Sequence, residues 1–260
     1  MTEHVKIARG EGVLELTFAR PEKKNAITGA MYEAMGEAIA GAGKDPDIKV
    51  ILISAEGDMF TAGNDLSDFA KQASGGARPT GTTSEHGLPR GAGALLASMA
   101  VAEKPIVAAV QGRAVGVGGT MLLHCDLVYI AETAAVTMPF IGLGLTPENA
   151  SSLLLPQRIG HARAFAVFAL GEAITGKEAV EIGIANKCLP AGEVRAAARD
   201  AAKALTTRSL SALMETKKLM RDPALYQDII AREGAVFAAQ LRTPEAAAAF
   251  AAFLNKPKVA

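Results

Sequence analysis

At 260 residues, half of them apolar, the chain is long enough for one large core or for a domain with an appendage. Its 27 Lys+Arg offset its 27 Asp+Glu, which argues against nucleic acid or an acidic membrane as the main partner while allowing a local basic patch for one anionic ligand. Trp is absent and aromatics make up 5%, which weakens any case for base-stacking platforms, and no apolar run approaches the ~20 residues of a membrane span.

The opening MTEHVKIARGEG has no apolar signal core, so no secretion signal is expected and the chain reads as cytoplasmic. Val13 to Phe18 alternates and predicts a strand, ended by Arg20-Pro21. From Thr28 an apolar stripe at Met31, Met35, Ala38, Ile39 and Ala42 predicts a helix closed by Gly41 and Gly43. Val50 to Ser54 is a continuous apolar run of buried-strand type. Asp65 to Phe69 is expected to open a second helix. Residues 72–93, rich in Gly, Pro, Ser and Thr, predict a long mobile loop. Such a loop is either a lid over a pocket or a disordered insertion.

Ala94 to Ala102 predicts a short helix, Pro105 to Val110 a buried strand, Thr120 to Leu123 a helix start and Asp126 to Ala131 a strand. Cys125 and Cys188, in apolar contexts, read as reduced, buried thiols. Thr175-x-x-Glu178 is a capping box. From Glu193 the chain is Ala-rich and helical in period, broken near Pro223 and Pro244. These features divide the chain into a strand-and-helix body, 1–192, and a helical region, 193–260. Strands at 50–54 and 106–110 each feed a Gly-containing turn, which suggests coiled, repeated sheets and not one Rossmann sheet.

Two of those turns could carry chemistry: Phe60-Thr61-Ala62-Gly63-Asn64-Asp65-Leu66, and Gly112 to Thr120. Each lies after a strand and before a helix, where backbone N–H groups lack internal partners and the helix dipole favours negative charge. Facing each other, they could form the paired donors of an oxyanion hole. On spacing alone, tight turns required by packing explain both at least as well. A dinucleotide fingerprint is disfavoured, because Met121 replaces the third Gly and no acidic residue follows at the ribose distance.

The segment Arg20-Pro21-Glu22-Lys23-Lys24-Asn25-Ala26, the Ala62 to Leu66 turn and the Gly112 to Gly119 turn with Cys125-Asp126 resemble the crotonase family, the enoyl-CoA hydratase/isomerase superfamily. Ala179 to Asn186 and Phe253-Leu254-Asn255-Lys256 are similar too, so the resemblance runs in order along nearly the whole chain. It implies an α/β fold of the crotonase type: a spiral of ββα units with a C-terminal helical trimerisation region. Homotrimers, often paired into dimers of trimers, are implied with it. The resemblance places an oxyanion hole for an acyl-CoA thioester at the N–H groups of Asn64 and Val117, with Val117 standing where Gly is usual. It places CoA near Lys23, Lys24, Ala26, Ala62, Asp65 and Leu66, with Phe253 and Lys256 supplied by a neighbouring subunit. No metal or redox cofactor is implied, coenzyme A being part of the substrate.

The two glutamates of the hydratases fall on Thr120 and Phe140, which cannot supply the acid–base pair that hydration needs. Instead, Gly112 to Ser152 resembles the peroxisomal type of 3,2-enoyl-CoA isomerase, in which one Glu at the position of Glu148 is the base. The residues alone favour reading Glu148 as an N-terminal helix carboxylate over Ala150 to Leu154. With the resemblance, the expected reaction is migration of the double bond of a 3-enoyl-CoA to the 2-trans position through a dienolate. An apolar surround of Phe140, Ile141, Leu143 and Leu145 should raise the Glu148 pKa. Another crotonase reaction (hydration, thioester hydrolysis or ring modification) and a non-catalytic acyl-CoA binding protein are the rival readings. Asp126 is expected to cap a helix-to-strand join, His124 to sit in the core, and His161, Arg163 and the Lys217-Lys218 pair to face solvent.

Overall fold

The structure, a computed structural model, describes residues 2–65 and 91–254. The expected helix after Asp65, most of the 72–93 loop, Leu66 and Lys256 lie outside these residues.

Ten strands and ten helices follow one another among the described residues. The chain starts with β1 (Val5–Gly10) and β2 (Val13–Phe18), an antiparallel hairpin turned at Glu11 and Gly12, both at positive φ. Then come α1 (Gly29–Lys44), β3 (Val50–Ala55), β4 (Met59–Thr61), α2 (Ala92–Val101), β5 (Ile106–Val110) and β6 (Arg113–Val115). Next are α3 (Val117–Thr120), continued by a 3-10 turn at Met121–His124, then β7 (Leu127–Ala131) and β8 (Ala135–Thr137). After a 3-10 turn at Ile141–Leu143 follow α4 (Ser151–Ile159), α5 (His161–Ala169), β9 (Ile174–Thr175), α6 (Gly176–Glu181) and β10 (Lys187–Leu189). The chain closes with α7 (Ala191–Thr206), α8 (Leu210–Met220), α9 (Pro223–Gln240) and α10 (Pro244–Leu254).

The strands form two sheets, β1-β2-β3-β5-β7-β10 and β4-β6-β8-β9. Along the chain, β3 then β4, β5 then β6, and β7 then β8 step from the large sheet to the small one. Each step is followed by helix, which is the coiled ββα repeat expected from the sequence. β3 and β5 are buried at every position, which explains their unbroken apolar runs. α7 packs across β3, β5 and β7, and Arg195 and Arg199 clamp Glu15 of β2 at 2.8 and 2.9 Å. No helix among the described residues is long and apolar enough to cross a membrane.

Several local expectations change. The α1 stripe holds, with Thr28 capping through Met31 N–H. The helix nevertheless runs through Gly41 and Gly43, which face open space and only weaken an exposed turn. α3 starts three residues before Thr120, directly at the second turn. Pro223 and Pro244 open α9 and α10, because a helix's first turn tolerates a residue without N–H. The Thr175–Glu178 capping box is present. Asp126 is no helix cap: its Oδ2 accepts from Ile106 N–H at 2.7 Å and from Lys217 Nζ at 2.7 Å, stapling β5, β7 and α8 together. Lys217 is therefore buried, not solvated, whereas Lys218 pairs with Glu103 and Glu215 on the surface. Cys188 is only half-buried.

β4 and β6 are parallel neighbours. Gly112, just before β6, sits so close that a Cβ there would lie 2.0 Å from the Asp58 carbonyl oxygen. Gly112→Ala should therefore push the two strands apart, and we expect it to destabilise by about 3 kcal/mol. Thermal melts should show Tm falling by roughly 6–12 °C; an unchanged Tm would show that this approach is not tight.

Candidate active site

The first turn follows β4. Thr61 Oγ1 donates to Asn25 O (2.7 Å) and accepts from Gly63 N–H (3.0 Å), while Ala62 N–H donates to Lys24 O (2.9 Å). Ile27 N–H donates to Gly63 O (2.8 Å) and Asp65 N–H to Ile27 O (3.0 Å), so residues 63–65 run beside residue 27 as a short parallel bridge. Gly63 has φ +85°, and a Cβ on it would meet Val115 O at 2.8 Å. The second turn follows β6, with Gly116 at φ +57°. A Cβ on Gly118 would lie 2.3 Å from Thr61 Cγ2. The two turns are thus in contact because the strands that feed them are neighbours.

Asn64 N–H and Val117 N–H form no hydrogen bond among the described residues. Val117 is the first residue of α3, after the N-cap Gly116, where an N–H has no partner in its own helix. The Asn64 side chain is held by a buried hydroxyl, with Tyr32 OH donating to its Oδ1. Burial, with the nearby Glu148 charge, raises the Tyr32 pKa well above its ordinary value, which keeps the hydroxyl a donor. Tyr32→Phe should keep the ring's packing and leave Asn64 Oδ1 without that donor. We expect a loss of about 1–2 kcal/mol, seen as a Tm lower by a few degrees.

Glu148 is 4% exposed, and its Oε1 accepts from Thr120 Oγ1 at 2.6 Å, one turn along α3 from Val117. Burial pushes its carboxyl up to about 8, against the Thr120 hydrogen bond and with help from the negative charge of Glu233. Of the residues expected to desolvate it, Phe140 and Leu145 are buried and Leu143 is half-buried, whereas Ile141 is 49% exposed. The helix-capping reading of Glu148 does not hold, since no side chain of its own segment caps α4. That role falls to Glu233 of α9, whose Oε2 accepts from Ala150 N–H at 2.6 Å and whose Oε1 accepts from Ser152 N–H at 2.9 Å. Between Glu148 and α4, Asn149 (φ +63°) and Ala150 (φ +55°) are both left-handed, a conformation worth roughly 1–2 kcal/mol of strain for each non-glycine residue.

His124 is a core histidine, its Nε2 at 2.8 Å from Asn149 O. Burial, then the cations Arg221, Arg158 and Lys217, lower its pKa to about 3, so it stays neutral. Two of those cations serve the far end of the α3 segment: Arg158 Nη2 donates to Leu123 O at 2.6 Å and Arg221 Nη1 to His124 O at 3.1 Å. A cavity of about 560 Å³ beside them is lined by Asp126, Arg158, Lys217 and Tyr226 and by none of Asn64, Val117 and Glu148. His161 and Arg163 are exposed, as expected.

Lys23 and Lys24 are exposed on a 3-10 turn, and Lys24 pairs with Asp58 at 2.8 Å. Asp65 accepts from Arg20 Nη1 at 2.6 Å, and the same guanidinium donates to Ala26 O at 3.0 Å. Arg20 thereby ties the expected ligand-binding residues 26 and 65 into one surface. Phe253 is half exposed on α10. Sequence reasoning missed Tyr32 and Glu233. Tyr32 lies inside an apolar stripe, where only its polar tip was a signal, and Glu233 has no motif around it.

A model of the enoyl-CoA hydratase/isomerase family matches residues 8–259. The solved structure of Pseudomonas aeruginosa OdaA aligns with a TM-score of 0.89 and 41% identity, covering 98% of this chain and 100% of that one. Enoyl-CoA delta isomerase 2 of Rattus norvegicus is 36% identical over 182 residues, 69% of this chain and 44% of that protein. Carnitinyl-CoA dehydratase of Salmonella typhi is 32% identical over 222 residues, 85% of this chain and 81% of that protein. The chain thus spans less than half the length of the rat relative.

Proposed function

Because this chain belongs to the enoyl-CoA hydratase/isomerase family, we propose that it is an isomerase that converts 3-enoyl-CoA to 2-trans-enoyl-CoA with Glu148 as its base. The observation that carries this reading is the Glu148 carboxyl itself. It is buried beside the paired turns, with a pKa near 8, while Thr120 and Phe140 occupy the places where hydration would need carboxylates.

In this reading the thioester oxygen accepts from Asn64 N–H and Val117 N–H. Ionised Glu148 removes a proton from C2, and the electron pair delocalises over the thioester oxygen and C2 to C4 as a dienolate. Protonated Glu148 returns the same proton to C4, which leaves the double bond between C2 and C3 and regenerates the base. The two N–H donors stabilise the developing oxyanion, at about 3–4 kcal/mol for each such donor. A pKa near 8 suits a group that must both take and return a proton near neutrality. Lys23, Lys24, Ala26, Ala62, Asp65 and Leu66 would hold CoA. The exposed Lys24–Asp58 pair is weak enough to yield to a phosphate. Phe253 and Lys256 of a second copy would complete that surface in a homotrimer or a dimer of trimers.

The test is to supply a 3-enoyl-CoA and follow the absorbance of the conjugated 2-enoyl product. Hydration of crotonyl-CoA that survives Glu148→Gln would favour another reaction of the family. Tight CoA-ester binding without turnover of any enoyl isomer would favour a non-catalytic binder.

A further inference from the structure

We propose that Glu233, on helix α9 of the C-terminal helical region, is a positioning residue that sets where the Glu148 carboxyl points. This rests on Glu148 being the base. Glu233 is buried, and its two oxygens receive Ala150 N–H and Ser152 N–H, at 2.6 and 2.9 Å, from the loop that carries Glu148. Those two donors are the amide of Ala150, the N-cap of α4, and that of Ser152 in its first turn, and α4 has no side-chain cap from its own segment. The intervening Asn149 and Ala150 are both left-handed without being glycine, and such conformations persist only where the surroundings over-determine them. On one side the loop is held by His124 Nε2 at Asn149 O; on the other it is held by Glu233. The helical region that the sequence marks as an appendage therefore finishes the active site within the same chain.

The groups facing Glu148 come from three elements: Thr120 of α3, Tyr32 of α1 and Glu233 of α9. His124 stands behind Asn149 and is neutral. Glu233 is the other carboxyl among them; burial raises its own pKa, against the hydrogen bonds from Ser152 and Ala150 that favour its ionised form, and its negative charge adds to the raised pKa of Glu148. Neutralising it should move the Glu148 titration to lower pH. Removing the side chain frees two helix amides and lets the base drift, and a misplacement of about 1 Å can reduce turnover ~100-fold.

The experiment uses the full-length protein with Glu233→Gln and Glu233→Ala. The acidic limb of kcat/KM in the Gln variant should move down by about half a pH unit or more, with kcat falling less than in the Ala variant. The Ala variant should lose kcat by ~10–100-fold with KM within about threefold. A purely structural role predicts lower Tm but wild-type kcat and an unmoved limb in the molecules that remain folded; that result overturns the proposal. Should the Ala variant not fold, the limb of the Gln variant decides alone. Glu148→Gln is assayed in parallel. Retained activity there removes the base assignment itself, whereas its loss beside an unaffected Glu233 series removes only the positioning role.

Discussion

Glu148→Gln is expected to lower kcat for 3-enoyl-CoA isomerisation by about 10³–10⁴-fold, in the upper part of the range for removing a single acid–base group. The amide has the shape of the acid and can still accept from Thr120, so affinity for a CoA ester should change by less than about threefold. In the wild type, kcat/KM should rise with pH and level off above about 8, where the carboxyl is ionised. The same shift has a consequence for stability. The folded protein holds a proton on Glu148 between the ordinary carboxyl value of 4.5 and about 8, where the unfolded chain has released it. Stabilisation from this group is therefore complete below about pH 4.5 and is lost as pH rises to 8. At about 1.4 kcal/mol per pH unit, the loss from pH 4.5 to 8 amounts to about 5 kcal/mol. The Gln variant lacks this loss, so its melting curve should overtake the wild type's as pH is raised from 5 to 9. Parallel curves would show that the carboxyl is not held neutral by burial.

Val117→Pro should cost ~10²–10³ in kcat, the typical effect of deleting one oxyanion donor. Proline suits this position because Val117 is the first residue of α3, a place where proline's fixed φ fits a helix start and a missing N–H removes no helix bond. The substitution removes the donor and leaves Glu148 in place, so the pH limb should stay at wild type. Val117→Gly keeps the N–H and should retain kcat within about tenfold. Equal losses in the two variants would mean that the side chain, and not the amide, matters at this position.

Much of this was legible in the residues, for stated physical reasons. β3 and β5 are covered on both faces, so their sequences are unbroken apolar runs. β1 went unread because five of its six residues are exposed, which leaves no alternation to see. The start of α3 was hidden because Gly116-Val117-Gly118-Gly119 has no helical period. At the site, the paired turns were visible as glycine-rich strand ends, but their contact depends on β4 pairing with β6. Glu148 looked like a helix cap because the carboxylate that caps α4 lies 83 residues beyond Ala150. Lys217 read as solvated because its partner Asp126 is 91 residues away. The misreadings of Glu148 and Lys217 both turn on a long-range pairing that no local window contains.

The adjacency of β4 and β6 also fixes a length. Neighbouring strands lie about 4.8 Å apart. Two N–H donors meeting one carbonyl oxygen, each at about 2.9 Å and spread by its lone pairs, need nitrogens about 4.7–5 Å apart. The sheet therefore acts as a gauge block: turns that leave two adjacent strands at the same height present their amides at nearly the separation one oxygen accepts. In the proposed reading, the span between the Asn64 and Val117 amides would be set by main chain alone. On that reading, side chains such as Thr120, Phe140 and Glu148 could be exchanged to change the reaction while the proposed grip on the thioester keeps its calibre.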